Sequence, residues 1–186
     1  MISNYRKVRR WTLQLRQRPP AQAPGATDFT GSIVWQRELS VTDYLLHYRA
    51  VGERWNWFDR VLMPSQELQQ LLAEPNRHIG LLQPADCDSP AGFTEFKVHS
   101  ATEAEICYFG LRPEFTGNGL GTPFFRMLLI HVAGLLSGEG KIWLTTCAWD
   151  SPAALPFYQK MGFVVTGEDF VRQQVPDGFA GPAEND

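Results

Sequence analysis

The run that most constrains this chain lies at residues 103–137, where a strand pattern gives way to alternating glycines and then to a helix pattern. Ile106, Cys107, Tyr108, Phe109 and Leu111 supply strand formers. Gly117, Gly119 and Gly121 follow, and Leu120, Phe124, Phe125, Leu128, Leu129 and Val132 then recur at helical spacing. Glycine adopts positive φ freely, so successive backbone N–H groups can turn toward one point. A helix starting beside them adds unpaired donors and the positive end of its dipole. Such a loop can hold a phosphate without a basic side chain, although three glycines by themselves serve a plain turn equally well. Pro123 falls in the first helical turn, where its missing N–H does no harm, and Gly138 and Gly140 stop the helix. Residues 141–147 read as a further strand, and strand–helix–strand in this order implies a right-handed crossover with parallel pairing.

The remainder supplies the sheet that such a unit needs. Residues 11–16 alternate apolar and polar on a period of two, 32–37 form a second candidate strand, and the Pro-, Ala- and Gly-rich segment between them reads as a loop. Ser40-Val41-Thr42-Asp43 can cap a helix, and Ser65 begins another that carries Leu68, Leu71 and Leu72. Residues 77–82, 91–98 and 103–111 read as strands. Ser100-Ala101-Thr102 is short enough to make the last two a hairpin, and a phase slip between Phe93 and Phe96 predicts a bulge. Ser151-Pro152 predicts the start of a short helix over 153–161, and residues 163–173 a final strand or hairpin. The fold class is therefore α/β (α+β), with a mixed sheet of about six or seven strands. A single domain spans 1–175, followed by a small, acidic, flexible tail at 176–186.

Several chemistries find no support. Cys87, Cys107 and Cys147 are too dispersed for a disulfide framework or a zinc knuckle, and His47, His78, His99 and His131 show no ligand spacing, so no metal is expected. No apolar run has the length of a membrane span and no secretory h-region precedes the domain, which predicts a cytoplasmic protein. A whole-chain charge of −3 with +6 in the first 18 residues leaves −9 for the rest. That basic block predicts a solvated edge strand rather than a nucleic-acid contact. Residues 53–60 are dense in aromatics and charges. They read either as a packed helical turn or as the wall of an acceptor pocket, with Arg54, Trp55 and Trp57 as candidate substrate-binding residues.

Two stretches together resemble the GNAT superfamily of acyl-CoA-dependent N-acyltransferases: Tyr108-Phe109-Gly110-Leu111-Arg112-Pro113-Glu114-Phe115-Thr116-Gly117-Asn118-Gly119-Leu120-Gly121, and Ser151-Pro152-Ala153-Ala154-Leu155-Pro156-Phe157-Tyr158-Gln159-Lys160-Met161-Gly162-Phe163. The resemblance implies a mostly antiparallel sheet with a splayed parallel pair at the ligand site. It also implies acetyl-CoA as co-substrate and transfer of its acetyl group to a primary amine of a small molecule or peptide. Cofactor contacts would fall to Phe109, Gly110, Leu111, Thr116, Gly117, Asn118, Gly119, Leu120, Gly121, Thr122, Ser151 and Tyr158. Thr116 stands where the family usually has Gln or Arg, and Ser151 where it frequently has Asn. An alkyl amine must lose a proton before it attacks. Glu105, on a face shared with Cys107 and Phe109, is the first candidate base; Glu95 on the neighbouring strand is the competitor. Tyr158 resembles the family tyrosine that can protonate the leaving sulfur, and backbone N–H groups near 109–111 would stabilise the oxyanion. The protein would be a monomer or homodimer. The alternatives are a catalytically silent acyl-CoA-binding module and, less well matched, a dinucleotide-binding Rossmann domain.

Overall fold

A computed structural model describes residues 4–17 and 30–181 of the chain. The expected loop before Thr30 and residues 182–186 of the expected tail lie outside the described residues. The strands are β1 (Tyr5–Leu15), β2 (Gly31–Gln36), β3 (Arg77–Pro84), β4 (Gly92–Ser100), β5 (Glu103–Leu111), β6 (Lys141–Cys147) and β7 (Phe163–Gln174), and the helices are α1 (Val41–Gly52), α2 (Ser65–Leu72), α3 (Gly121–Leu135) and α4 (Ala154–Lys160). The strands form one sheet in the order β2-β3-β4-β5-β6-β1-β7. Its single parallel contact is β5 with β6; the other pairings are antiparallel. None of the described helices is long and apolar enough to cross a membrane.

Both faces of the sheet are covered, and this explains the unusual pattern of β4. On one face α3 packs Phe125, Leu128, Leu129 and Val132 against Leu13, Phe96, Ile106, Ile142 and Leu144. On the other, α1 and α2 bring Tyr44, Tyr48, Val51 and Leu68 onto Ile79, Leu81 and Phe93. Phe93 and Phe96 therefore belong to different cores, and β4 alternates without slipping. The predicted irregularity does occur at this level of the ladder, where Glu95 opposes Tyr108 while Phe96 opposes Ile106. The extra residue is Cys107, on β5.

The basic N-terminal strand is not at the edge of the sheet, although its charges are solvated as expected, with Arg6, Lys7 and Arg9 exposed. β1 is internal, paired with β6 on one side and along its full length with β7 on the other. Its charges are met across the strand pair: Arg9 binds Glu168 at 2.6 Å, and Arg10 grips Asp169 through two donors at 3.1 and 2.7 Å. β6 pairs with β1 only from Arg10 to Gln14, so the basic residues before Arg10 project to solvent from a strand that is internal further along. Two smaller differences are local. Ser151 does not cap α4, which begins three residues later after a turn in which Ser151 Oγ accepts from the N–H of Ala153 at 3.3 Å. Within the expected tail, Phe179 packs edge-on against Phe58 and Trp149, with ring centroids at 4.9 and 5.5 Å.

Candidate functional site

The β5–β6 ladder ends at the pair Ile106 and Leu144. Beyond it β6 continues along β1 while β5 continues along β4, so the sheet opens between them. A cavity of about 780 Å³ occupies this opening, with β5 residues 105–111 on one wall and Thr145, Thr146, Cys147 and Tyr158 opposite. At the fork the β5 edge facing β6 has no strand partner, so its peptide groups are available to a ligand.

At one end lies the glycine loop. Gly117 and Gly119 have φ of +83° and +77°, and a Cβ at either would meet nothing within 4 Å. The loop is thus open above its backbone, and positive φ is what requires glycine there. It feeds α3, whose first turn has no side-chain cap, so its leading N–H groups lack a side-chain partner. Thr116, Gly117, Gly119, Leu120, Gly121 and Thr122 line the cavity. Asn118 does not. The Thr116 hydroxyl donates to the carbonyl of Pro113 at 2.7 Å, so this side chain braces its own loop.

The bulge at Cys107 decides which β5 side chains share the site. Strict alternation puts Phe109 beside Glu105 and Cys107; the extra residue instead turns Phe109 toward the α3 face, against Phe124 and Phe125 at centroid distances of 5.2 and 4.6 Å, where it still lines the cavity. Tyr108 takes the place on the α1 face that alternation gives Phe109, against Tyr48 and Trp57. Glu105 remains on the cavity wall, where its Oε2 lies 3.0 Å from Nε2 of His99. Tyr158 lines the opposite wall. Burial, then the charge of Asp150, raises its phenol above the ordinary value, so the hydroxyl keeps its proton at neutral pH. Burial, followed by the Glu95 and Glu105 charges, pushes the Cys107 thiol up to about 12. Burial and Asp150 do the same to Cys147. Neither thiol is set up as a nucleophile.

Glu95 stands apart from the cavity lining, fully buried. Tyr44 donates to its Oε2, and Arg77 and Arg60 both reach its Oε1, Arg60 at 2.9 Å. A carboxylate held by two guanidiniums and a phenol ties β3, β4 and α1 together and is closed off from the cavity. Residues 53–60 do reach the site. Trp55, Trp57, Asp59 and Arg60 line the cavity, whereas Arg54 turns outward over the Trp55 ring at 4.6 Å. Trp57 donates to Asp150 at 3.1 Å, and Asp59 accepts from Tyr108 at 3.1 Å and from Gln173 at 2.5 Å. Sequence reasoning did not single out His99, Asp59 or Asp150. His99 could have been found from the hairpin register, which brings the end of β4 alongside Glu105. Asp59 and Asp150 depend on tertiary contacts with no local signature.

Fold and site together define an α/β protein with a forked sheet and a glycine-lined helix start at one end of the fork. Residues 43–163 match the model of the Acetyltransferase (GNAT) family. The chain belongs to that family. It is 35% identical over 92 residues to the mycothiol acetyltransferase of Mycolicibacterium smegmatis, an overlap of 48% of this chain and 31% of that protein. Against the protein of the same name from Corynebacterium glutamicum it is 34% identical over 89 residues, 48% of this chain and 30% of the relative. These matches take in less than a third of either relative. A GCN5-related N-acetyltransferase from Sphaerobacter thermophilus superposes with TM-score 0.55 at 21% identity, over 95% of this chain and 55% of the other. A conserved protein of unknown function from Staphylococcus epidermidis gives 0.63 at 16% identity, over 90% and 61%. At these identities the likeness concerns the fold alone.

Proposed function

We propose that the protein transfers the acetyl group of acetyl-CoA to a primary amine, on a small molecule or peptide, by direct attack. The observation that carries this reading is the fork after Ile106 and Leu144, with the uncapped glycine-rich start of α3 at one end and Glu105 and Tyr158 on its walls. The pyrophosphate of the co-substrate is received by backbone N–H groups from Gly117 to Thr122, where open space and helix dipole favour an anion. The pantetheine arm enters between the diverging strands. Its thioester carbonyl meets the peptide N–H groups of β5 near Phe109 and Gly110, which stabilise the oxyanion. Glu105 takes the proton that frees the amine nitrogen, directly or through one water, and Tyr158 gives a proton to the departing sulfur. The acceptor lies against Trp55, Trp57 and Asp59. Membership in the acetyltransferase family supports the reaction class, and the name shared by the curated relatives, mycothiol acetyltransferase, makes mycothiol-related compounds worth including among acceptors.

The test is thiol release from acetyl-CoA across polyamines, amino acids, aminoglycosides, mycothiol-related compounds and N-terminal peptides, with products detected by mass. Tyr158→Phe should lower turnover by 10²-fold or so and leave acetyl-CoA affinity close to that of the wild type. Binding of acetyl-CoA with no acetylated product from any amine would instead leave a silent acyl-CoA-binding module.

A further inference from the structure

We propose that His99 is the proton exit of this site, a positioning residue that acts through Glu105 and delivers to solvent the proton the carboxylate takes from the amine. The inference rests on the reading of Glu105 as the base.

The backbone places His99 for this purpose. Val98 opposes Ala104 and Ser100 opposes Glu103, so His99 is the extra residue of a second bulge, at the end of β4. A bulge frees its residue from the ladder and re-aims its side chain. Here it brings Nε2 to 3.0 Å from Glu105 Oε2. Trp143, which is the Cα partner of Glu105 on β6, backs the imidazole with nearly parallel rings, 16° apart at 6.0 Å. Both His99 and Glu105 line the cavity, and His99 is the more exposed, at 34% against 25%.

The charges nearest this pair are largely engaged with one another, although Glu103 faces His99 closely enough to feel its charge. Lys97, on the same strand, is held by Glu74 at 2.9 Å. Lys141 on β6 is held by Glu103 of β5 at 3.1 Å. Among the described residues, the only side chain bonded to the Glu105 carboxylate is His99. Imidazole is the side chain that can both accept and release a proton near neutral pH, at its two different nitrogens.

The reaction leaves one proton to be disposed of. An ammonium and a thioester give an amide, a thiol and a proton. The C–N bond forms with the amine lone pair, and the C–S bond breaks with its pair going to sulfur. Sulfur takes a proton from Tyr158, which regains one from the new amide nitrogen. The proton first removed from the ammonium remains on Glu105. It passes to Nε2 of His99 while the hydrogen on Nδ1 leaves to water, the carboxylate is restored, and exchange of the ring protons with water returns the imidazole to the form that can accept again.

The test compares His99→Ala, Glu105→Gln and the double variant, using acetyl-CoA and whichever amine of the panel the wild type acetylates fastest. His99→Ala should lower kcat ten- to a hundredfold, leave the acetyl-CoA dissociation constant within twofold by calorimetry, and recover when imidazole is added at tens of millimolar. The double variant should be no slower than Glu105→Gln. A full rate in His99→Ala overturns this proposal alone, as does a loss that imidazole fails to restore and that multiplies the Glu105→Gln loss. A wild type that binds acetyl-CoA yet releases no thiol with any amine overturns the parent reading, and this one with it.

Discussion

The indole N–H of Trp57 donates to Oδ1 of Asp150 at 3.1 Å and so ties the acceptor-side loop to the end of β6 across the mouth of the fork. Oδ2 of the same carboxylate accepts from the Thr146 hydroxyl at 2.7 Å and the Cys147 N–H at 3.0 Å. Three donors on three residues converge on one partly buried anion. Asp150→Ala leaves all three unpaired and is expected to destabilise the fold by about 2–3 kcal/mol, measured by urea denaturation. It should also raise the KM for the amine more than that for acetyl-CoA, because the loop it releases carries the acceptor wall.

The space under Trp57 is made by a glycine. A Cβ on Gly52, the last residue of α1, would lie 2.2 Å from Cε3 of the indole. Gly52→Ala must displace the ring, at a cost of about 1–3 kcal/mol of overpacking. Tryptophan fluorescence should report the shift even where the melting temperature changes little.

Gly119→Ala tests the cradle by a different route. There is room for the methyl group, so the penalty is conformational, arising from φ of +77°. A strain of about 1–2 kcal/mol is relieved by turning the peptide away, and the loop then loses convergent donors. Calorimetry should give an acetyl-CoA dissociation constant at least fivefold weaker, with stability nearly unchanged.

Glu95 makes the strongest stability prediction. It is completely buried between Arg60 and Arg77, and Glu95→Ala leaves Arg60 without its carboxylate and Arg77 with that of Glu74 alone. The expected loss is about 3–5 kcal/mol, read from chemical denaturation. Glu95→Gln, which keeps the shape and removes the charge, should fall between that variant and the wild type.

The two strand cysteines supply a pH test. With a thiol near pKa 12, the thiolate fraction at pH 8 is only about one in ten thousand, against roughly a quarter for an unperturbed cysteine. Because the shift is upward, reactivity must keep rising with pH through the alkaline range. Iodoacetamide at pH 8 should leave Cys107 and Cys147 unmodified in the folded protein, as judged by peptide mass mapping, and labelling should increase steadily toward pH 10.

Local pattern carried much of this fold and only part of the site. The strand, glycine loop and α3 at the centre are legible because periodicity and glycine placement are properties of neighbouring residues. The hairpin at 100–102 and the parallel β5–β6 pair follow from short connections and the handedness of crossovers. The internal position of β1 was not legible. The pairing of β1 with β7, which sets Glu168 and Asp169 beside the still solvent-accessible Arg9 and Arg10, joins the two ends of the chain. Within the site, the bulges at Cys107 and His99 change which side chains meet, and neither leaves a mark in composition. Strict alternation therefore put Phe109 on the wrong face, although it still lines the cavity, whereas the hairpin register alone brings the end of β4 beside Glu105. Glu95 shows the converse: a strand carboxylate reads as a possible base until Arg60, Arg77 and Tyr44 are seen to consume it.

The central claim is that the forked sheet and its glycine loop hold an acyl-CoA. Isothermal titration of the wild-type chain with acetyl-CoA tests it most directly. The account predicts saturable binding of one equivalent, weakened at least fivefold in Gly119→Ala. No heat of binding at millimolar acetyl-CoA would contradict it.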